Sequence, residues 1–180
     1  MYQEYSFIDR FKAAADDGFK HVEFCFASDY TLETVLNALH DKGQSLVSFN
    51  FPAGNLVPGR IRGLAGLPDC EKIFDEQIKQ GLQWAEALNC NMAIAPLAGI
   101  VPEYQDTGFC LSTYNSNLSR AAEQAAGADF TLLVEANNNV EHPGYLLTHM
   151  DQCRQVVETI APPNVRMLMD TYHTQIMKVT

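Results

Sequence analysis

Helix-like and strand-like segments alternate along the whole chain, and this alternation limits the available folds more than any other feature. Five short apolar segments are predicted as strands, at residues 21–26, 46–51, 91–95, 131–135 and 165–170. Each follows a segment with the apolar spacing of an amphipathic helix, at roughly the 30-residue spacing of a βαβ unit. The strands are nearly continuous apolar runs, as expected when both faces are covered. The pattern predicts one α/β domain with a parallel sheet.

Capping signals predict where several helices begin. Ser6 followed by Asp9 forms an S-x-x-D pattern, and Thr31 precedes the apolar face of the second helix. Asp69 stands before a third, longer helix and is predicted to be its cap. The last of the five helices is predicted from its apolar positions to include Leu146.

Polar strand ends favour a barrel over an open sheet. Open nucleotide-binding sheets carry G-x-G-x-x-G or G-x-x-x-x-G-K after an early strand, and neither motif is present. No nucleotide cofactor is therefore expected. The strands instead end at or near Asn50, Glu135 and Asp170, with Glu23 slightly earlier in its strand. In a (β/α)8 TIM barrel such ends share the pole where active sites are built, so a fold of this type is predicted.

The charge balance disfavours several classes of partner. The 180 residues include 22 acidic and 12 basic side chains, and the net charge of −10 repels phosphate backbones and anionic lipid surfaces. No apolar run approaches the roughly 20 residues of a bilayer span, and the N-terminus lacks a signal-peptide pattern. The five cysteines contain no C-x-x-C pair, which indicates neither a disulfide framework nor a cysteine zinc site. A cytoplasmic protein with no nucleic-acid or membrane partner is predicted.

Glu135 and Asp170 end neighbouring apolar strands, so a parallel sheet would bring both carboxylates to one mouth. Hard divalent cations prefer such oxygen ligands, and Mg²⁺ or Mn²⁺ is the predicted metal. The cation would polarise a substrate carbonyl while a carboxylate moves a proton. The alternative is that each carboxylate is solvated at its strand end or caps a helix.

Other polar residues stand close to these carboxylates. His173 follows Asp170 by three residues in a predicted loop, where it could donate to a substrate oxygen, relay a proton, bind metal or face solvent. The run of asparagines at 137–139 suits left-handed turns, and alternatively one amide orients a substrate. The glycine-rich segment 52–68 is predicted to cover or shape a site. No role is predicted for the other four histidines.

Five stretches in chain order carry a family resemblance: V-E-F at 22–24, F-N-F-P-A-G at 49–54, L-V-E-A-N-N at 133–138, P-G-Y at 143–145 and D-T-Y-H-T-Q-I-M at 170–177. Together they resemble hydroxypyruvate isomerase, which, with its relative 2-oxo-tetronate isomerase, belongs to the xylose-isomerase-like TIM barrels. The resemblance runs along nearly the whole chain. Its last two motifs together are quite specific.

The resemblance implies an isomerase that interconverts hydroxypyruvate and 2-hydroxy-3-oxopropanoate, with a small hydroxy-oxo acid as its partner. Glu135 matches the family's catalytic and metal-site glutamate, and Asp170 matches a metal-ligand aspartate. Substrate-binding roles are implied for Asn138 and His173. Arg62 is the candidate partner of a substrate carboxylate, with a solvated loop arginine as the alternative.

Other functions stay open beside this one. The substrate could be a 2-oxo-tetronate or another sugar, and the chain could be a catalytically inactive barrel fragment. A zinc-dependent repair endonuclease of the same superfamily is disfavoured, because the chain is acidic and only His173 is well placed among the histidines.

The chain departs from the family pattern within the motifs. Ala136 and Asn137 stand where the family usually has proline and then isoleucine or leucine, and Val140 stands where arginine is common. In the glycine-rich loop Asn55 replaces an aspartate, and residues 60–63 read R-I-R-G where the family usually has G-E-R-G. These changes bear on substrate choice more than on fold.

The resemblance also implies strands beyond both ends of these 180 residues. The family's first strand would precede Met1. Its seventh and eighth strands, with a further metal ligand and a second catalytic glutamate, would follow Gln175. A single partial barrel domain of about five βα units is therefore predicted over residues 1–180. Its two exposed strand edges would be covered by a partner or by a second copy in a homo-oligomer.

Overall fold

The computed structural model describes residues 1–53, 62–95, 97–127 and 129–179. The strands are β1 His21–Phe24, β2 Ser45–Phe49, β3 Met92–Ile94, β4 Thr131–Glu135 and β5 Val165–Leu168. The helices are α1 Phe7–Asp16, α2 Leu32–Asp41, α3 Glu71–Ala87, α4 Thr107–Ala126, α5 Met150–Ile160 and α6 Thr171–Val179. The predicted alternation is confirmed. Much of the glycine-rich loop, including Asn55 and Arg60, lies outside the described residues.

All strand pairs are parallel. β1 pairs with β2, and β3, β4 and β5 pair in that order. A parallel bridge between Asn50 and Ile94 connects the two groups, so the strands stand side by side in chain order. The described strands do not close into a barrel. Because they are parallel, their carboxyl ends lie along one edge, which is where the site is found.

The helix starts follow the predicted caps in two cases and differ in others. Ser6 Oγ accepts from the Asp9 N–H at 3.3 Å, and Thr31 Oγ1 accepts from the Thr34 N–H at 3.2 Å. The prediction for Asp69 is wrong. Its φ of 65° places it in the left-handed region, and the residue before α3 is Cys70, which makes no side-chain cap bond.

Two further predicted boundaries are corrected. Leu146 lies before α5 rather than in it, because its backbone N–H donates to the Gly99 oxygen and the first turn is capped at His149. The segment around His173, predicted as a loop, forms α6. The Asp170 side chain explains this helix, since its Oδ1 accepts from the backbone N–H groups of Tyr172 and His173.

A continuous cluster of buried side chains lies between the helices and the sheet. Its largest fully buried members include Phe49, Phe51, Phe74, Tyr114, Leu118 and Leu132. Gly81 of α3 is required by this packing, because a Cβ there would overlap the ring of Phe51. Phe51 is thereby held at the end of β2, where it borders the site.

Strand position in the sheet decides how well side chains are covered. On the inner strand β4, Leu132 and Val134 are completely buried. On β5, at the edge of the described sheet, Arg166 and Met167 are exposed. Among the described helices, none combines the length and apolar character needed to cross a lipid bilayer.

Candidate active site

The carboxyl ends of β4 and β5 bring Glu135, Asp170 and His173 together. Glu135 is the last residue of β4 and stands in register with Leu168, the last residue of β5, so Asp170 lies two residues beyond the end of the neighbouring strand. Each of the three side chains is half-buried and offers one ligand atom, and these atoms all lie within 4.8 Å of one another. The two carboxylates thus meet at one mouth, as the strand pattern leads one to expect.

The two oxygens of Asp170 are used differently. Oδ1 accepts the backbone N–H of Tyr172 at 2.7 Å and that of His173 at 3.3 Å, which begins α6. Oδ2 lies 3.9 Å from Nε2 of His173. Asp170 therefore caps a helix through one oxygen, and its other oxygen remains available on the side of Glu135 and His173.

The hydrogen bonds around His173 fix which ring nitrogen carries the proton. Nδ1 lies 3.3 Å from the backbone nitrogen of Asn138 and 2.8 Å from its Nδ2. A backbone N–H can only donate, so Nδ1 accepts and the proton of the neutral ring is on Nε2. A protonated Nε2 donates hydrogen bonds and does not bind a metal. In this arrangement His173 is a donor beside the two carboxylates rather than a third metal ligand.

Asn138 is completely buried, and its amide is fully engaged by neighbours. Its Oδ1 accepts the Glu141 N–H at 2.8 Å, while its Nδ2 donates to Glu141 Oε2 at 3.0 Å and to His173. The Glu141 bond to Oδ1 fixes the orientation of the amide. Asn138, predicted as a substrate ligand, is therefore placed to orient His173.

Further contacts join the loop after β4 to α6. The hydroxyl of Tyr172 donates to Glu141 Oε1, and the Asn139 N–H lies 3.2 Å from Sδ of Met177. Hydrogen bonds from Tyr172 and Asn138 lower the pKa of Glu141, so this carboxyl stays ionised as an acceptor. The loop and the helix consequently hold His173 from two sides.

The electrostatics of Glu135 differ from those of Glu141. Burial, followed by the negative charges of Asp170 and Glu23, raises the pKa of Glu135 to about 7. No group in the described parts of the chain donates a hydrogen bond to its carboxylate. A carboxyl that titrates near neutrality and is free of such bonds is suited to moving a proton.

The donor set fits a divalent cation. Glu135 and the free Oδ2 of Asp170 are hard oxygen ligands at close range, and the charge of Asp170 contributes to the raised pKa of Glu135. A bound cation would relieve that repulsion. These two side chains are the ones that would hold it, and their chemistry does not distinguish Mg²⁺ from Mn²⁺.

A cavity of about 500 Å³ opens beside Glu135. Its polar lining includes Arg62, Asn50, Gln77 and Asn137, and its apolar lining includes Phe26, Phe51, Ile73 and Trp84. Glu135 belongs both to this cavity and to the cluster with Asp170 and His173. A ligand in the cavity would therefore contact the ionisable carboxyl directly.

Arg62 reaches this cavity from a well-anchored segment. The next residue, Gly63, has φ of 120°, and a Cβ there would overlap the backbone carbonyl of Leu97. The following N–H groups continue the contact, since Ala65 donates to the Leu97 oxygen at 3.2 Å and Gly66 to the Ala98 oxygen at 2.8 Å. Gly63 thus allows a close approach that places the exposed Arg62 at the cavity wall.

Two residues near the positive charge of Arg62 were not predicted from the sequence. His142, for which the sequence predicted no role, is buried with its ring centroid 6.1 Å from that of His173. Burial lowers the pKa of His142, and Arg62 and His173 lower it further, so a neutral ring is favoured. Cys25 lines the cavity, and burial raises the pKa of its thiol despite the opposing charge of Arg62. No signal in the sequence marked either residue, because both depend on contacts between distant segments.

Known proteins resemble this chain in sequence and in fold. Residues 11–179 match the family model of the xylose isomerase-like TIM barrel. The chain is 36% identical to the 2-oxo-tetronate isomerase of Cupriavidus necator over 99% of this chain and 68% of that protein. It is 32% identical to the hydroxypyruvate isomerase of Escherichia coli over 99% of this chain and 68% of that protein.

A solved structure shares the fold closely. A protein from Brucella melitensis described as an AP endonuclease of family 2 superposes with a TM-score of 0.92 at 34% identity, over 98% of this chain and 67% of that one. The chain thus spans about two thirds of the length of each of these three proteins. From the family match, the fold and the names of its curated relatives, the chain belongs to the xylose isomerase-like TIM barrel family and is an enzyme of the isomerase class.

Proposed function

We propose that this protein isomerises a small 2-oxo acid that carries a hydroxyl on the neighbouring carbon, with hydroxypyruvate and 2-hydroxy-3-oxopropanoate as the interconverted pair. The observation that carries the proposal is the position of Glu135, whose pKa is raised to about 7 between the cavity and the cluster with Asp170 and His173. The names of the relatives, hydroxypyruvate isomerase and 2-oxo-tetronate isomerase, support the same class of substrate.

Glu135 would move the proton between carbons. Its carboxylate removes the proton from the carbon that bears the hydroxyl, and the electrons of that C–H bond form an enediolate with the adjacent carbonyl. The same carboxyl returns the proton to the neighbouring carbon, while a hydroxyl proton passes between the two oxygens. The atoms balance without an oxidant or reductant. In the metal-free protein, a pKa of about 7 lets Glu135 both accept and return the proton near neutral pH.

His173 would stabilise the charge that develops on oxygen. The Nε2–H, set in place by the two donors from Asn138 to Nδ1, is available to donate to the enediolate oxygen. Asn138 contributes by holding the ring in this tautomer. A divalent cation held by Glu135 and Asp170 would supply further polarisation of the substrate oxygens when bound.

Arg62 would bind the carboxylate of the substrate. It is exposed, lines the cavity with Glu135, and offers a planar fork of donors that matches a carboxylate. Binding at this end would leave the oxo and hydroxyl carbons to face Glu135. The exposed guanidinium of Arg62 would thus recognise the substrate, and the half-buried carboxyl of Glu135 would transfer the proton.

A four-carbon 2-oxo-tetronate is the second candidate substrate. It has the same oxo group and neighbouring hydroxyl, with one additional hydroxylated carbon. The cavity of about 500 Å³ accommodates this extra carbon, and the relative from Cupriavidus necator is named for it. The proposed chemistry at Glu135 is identical for both acids.

An isotope experiment tests the proposal. The purified chain is incubated in D₂O with hydroxypyruvate or 2-oxo-tetronate, with Mn²⁺ or with EDTA, and the products are followed by proton NMR. Turnover with deuterium on the carbon that receives the proton is expected, with a lower rate in EDTA that Mn²⁺ restores. A folded protein that turns over neither acid in the presence of Mn²⁺ would contradict the proposal.

A further inference from the structure

Asn137 follows Glu135 by two residues and lines the same cavity, but Nδ2 of its side-chain amide has no hydrogen-bond partner among the described residues. The residue is only 6% exposed, and its backbone N–H donates to the Leu147 oxygen at 2.9 Å. Its Nδ2 meets no hydrogen-bond partner among the residues that the structure describes. This contrasts with the adjacent Asn138, whose amide is bonded on both sides.

An unpartnered buried amide is costly, because it has lost its bonds to water without gaining others. Within the described residues, three buried side-chain atoms are in this condition: Gln44 Oε1, Asn115 Oδ1 and Asn137 Nδ2. Only Asn137 also lines the cavity. A ligand oxygen in that cavity is therefore the natural acceptor for it.

The neighbours of Asn137 narrow the chemistry of this ligand. Arg62 supplies the positive charge for a carboxylate, and Glu135 faces the carbons whose proton moves. A neutral amide adds a directional bond to an uncharged oxygen, either a hydroxyl or an oxo group. Asn137 also stands where the family pattern has an apolar residue, so a hydrogen bond from its amide to a ligand would distinguish this chain from that pattern.

We propose that the Asn137 amide binds a hydroxyl or oxo oxygen of the substrate in the cavity beside Glu135, and thereby selects hydroxylated acids. The inference rests on the proposed function for the identity of the substrate. It makes Asn137 a specificity-determining residue. The loss of one such bond in a buried site weakens binding by about 10- to 100-fold.

The test uses Asn137→Leu, which keeps the branched outline of the side chain, at a larger volume, and removes the amide. The matched control is Asn115→Leu on α4, away from the cavity, which removes a side-chain amide whose Oδ1 has no partner among the described residues. The unreactive probe is D-erythronate, a four-carbon hydroxylated acid, with butanoate as its counterpart without hydroxyls. Affinities are measured by titration calorimetry, and kcat/KM is measured with hydroxypyruvate and 2-oxo-tetronate.

We expect Asn137→Leu to weaken erythronate binding and to lower kcat/KM by about 10- to 100-fold, with butanoate binding changed less than about twofold. Asn115→Leu should leave these values within about twofold of the wild type. Equal affinity of Asn137→Leu and the wild type for erythronate would overturn the inference, as would a wild type that fails to bind it. If Asn137→Leu does not fold, Asn137→Ser, which shortens the side chain, is judged by the same criteria.

The outcomes separate this inference from the proposed function. If the wild type turns over neither acid while erythronate binding still depends on Asn137, the isomerase proposal fails and the inference stands. If the wild type turns over hydroxypyruvate and Asn137→Leu matches it in kcat/KM and erythronate affinity, the inference fails and the proposed function stands.

Discussion

Glu135 divides two regions of the site that are built in opposite ways. On the side of α6, the polar atoms bond to one another: Asn138 to Glu141 and His173, and Asp170 Oδ1 to the first turn of the helix. On the side of the cavity, the amide nitrogen of Asn137 has no hydrogen-bond partner among the described residues, and the guanidinium of Arg62 is exposed. The residues that follow β4 contribute to both regions, Asn137 to the cavity and Asn138 to the network with His173.

The difference shows how one strand end can serve two purposes. A network whose members satisfy each other holds its geometry before any ligand arrives, which is what a catalytic donor requires. Polar groups left without protein partners are instead available to a ligand, at a cost to the stability of the empty protein. We therefore expect substitutions on the α6 side to change kcat and substitutions on the cavity side to change KM.

The largest effect is expected at the boundary, with Glu135→Gln. The amide keeps the shape of the side chain but cannot accept a proton, so kcat should fall by about 10²- to 10⁴-fold. The measurement is the initial rate of hydroxypyruvate isomerisation with Mn²⁺ present. Glu123→Gln, an exposed change on α4, is the control and should retain the wild-type rate. A Glu135→Gln protein with more than a tenth of the wild-type rate would exclude Glu135 as the base.

The next effect concerns the network on the α6 side. Asn138→Ala removes the side-chain hydrogen bonds that Asn138 makes with His173 and Glu141 from a fully buried site, while the backbone N–H to His173 Nδ1 remains, so the unfolding free energy should fall by about 1–3 kcal/mol. We also expect kcat of the folded protein to fall by about 10- to 100-fold, because one donor instead of two then holds the His173 ring and its Nε2–H tautomer in place. Nitrogen-15 NMR of the His173 ring reports the tautomer directly.

The control for this change is Tyr172→Phe. It removes the bond from the exposed tyrosine hydroxyl to Glu141 and should change the unfolding free energy by less than about 0.5 kcal/mol. Should the folded Asn138→Ala protein keep both the wild-type kcat and the Nε2–H tautomer, Asn138 would have a structural role only.

The site residues positioned by strand ends could be predicted from the sequence, whereas those positioned by tertiary contacts could not. Glu135 and Asp170 could be placed together because each ends a short apolar run, and parallel neighbouring strands share an edge. The helix at 171–179 was not predicted, since its start depends on Asp170 capping rather than on an apolar period.

The roles of individual polar residues were harder to predict for the same reason. Asn137 and Asn138 are identical neighbours in the sequence, yet one amide is bonded to Glu141 and His173 and the other faces the cavity. The burial of His142 beside His173 likewise arises only when the loop folds onto α6. Tertiary contacts of this kind leave no periodic pattern in the sequence.

A smaller effect is expected from the titration of Glu135 in metal-free protein. Its pKa of about 7 in the folded state lies above the ordinary value of 4.5, so the folded protein binds the extra proton between these pH values. Stability is therefore lost as pH rises through this window, by about 1–2 kcal/mol for a half-buried group. Glu135→Gln should lose less stability than the wild type between pH 5 and pH 8.

Urea unfolding at the two pH values, in EDTA, measures this difference. Comparing the wild type with Glu135→Gln cancels the contributions of other groups, including the opposite contribution of His142, whose pKa is lowered. An identical pH dependence in the two proteins would show that Glu135 is not the group that titrates near neutrality.

The smallest effect is expected on the cavity side of Glu135, with Arg62→Lys. Lysine keeps the charge but loses the planar pair of donors, so KM for hydroxypyruvate should rise by about 5- to 10-fold. Because Arg62 is exposed and unpaired within the described residues, the unfolding free energy should change by less than about 0.5 kcal/mol. Arg154→Lys on α5 is the control, since this exposed arginine pairs with Glu158 far along the chain from the cavity segments. A fall in kcat at unchanged KM would place Arg62 with the catalytic groups, and the division between the two sides of Glu135 would then no longer describe the site.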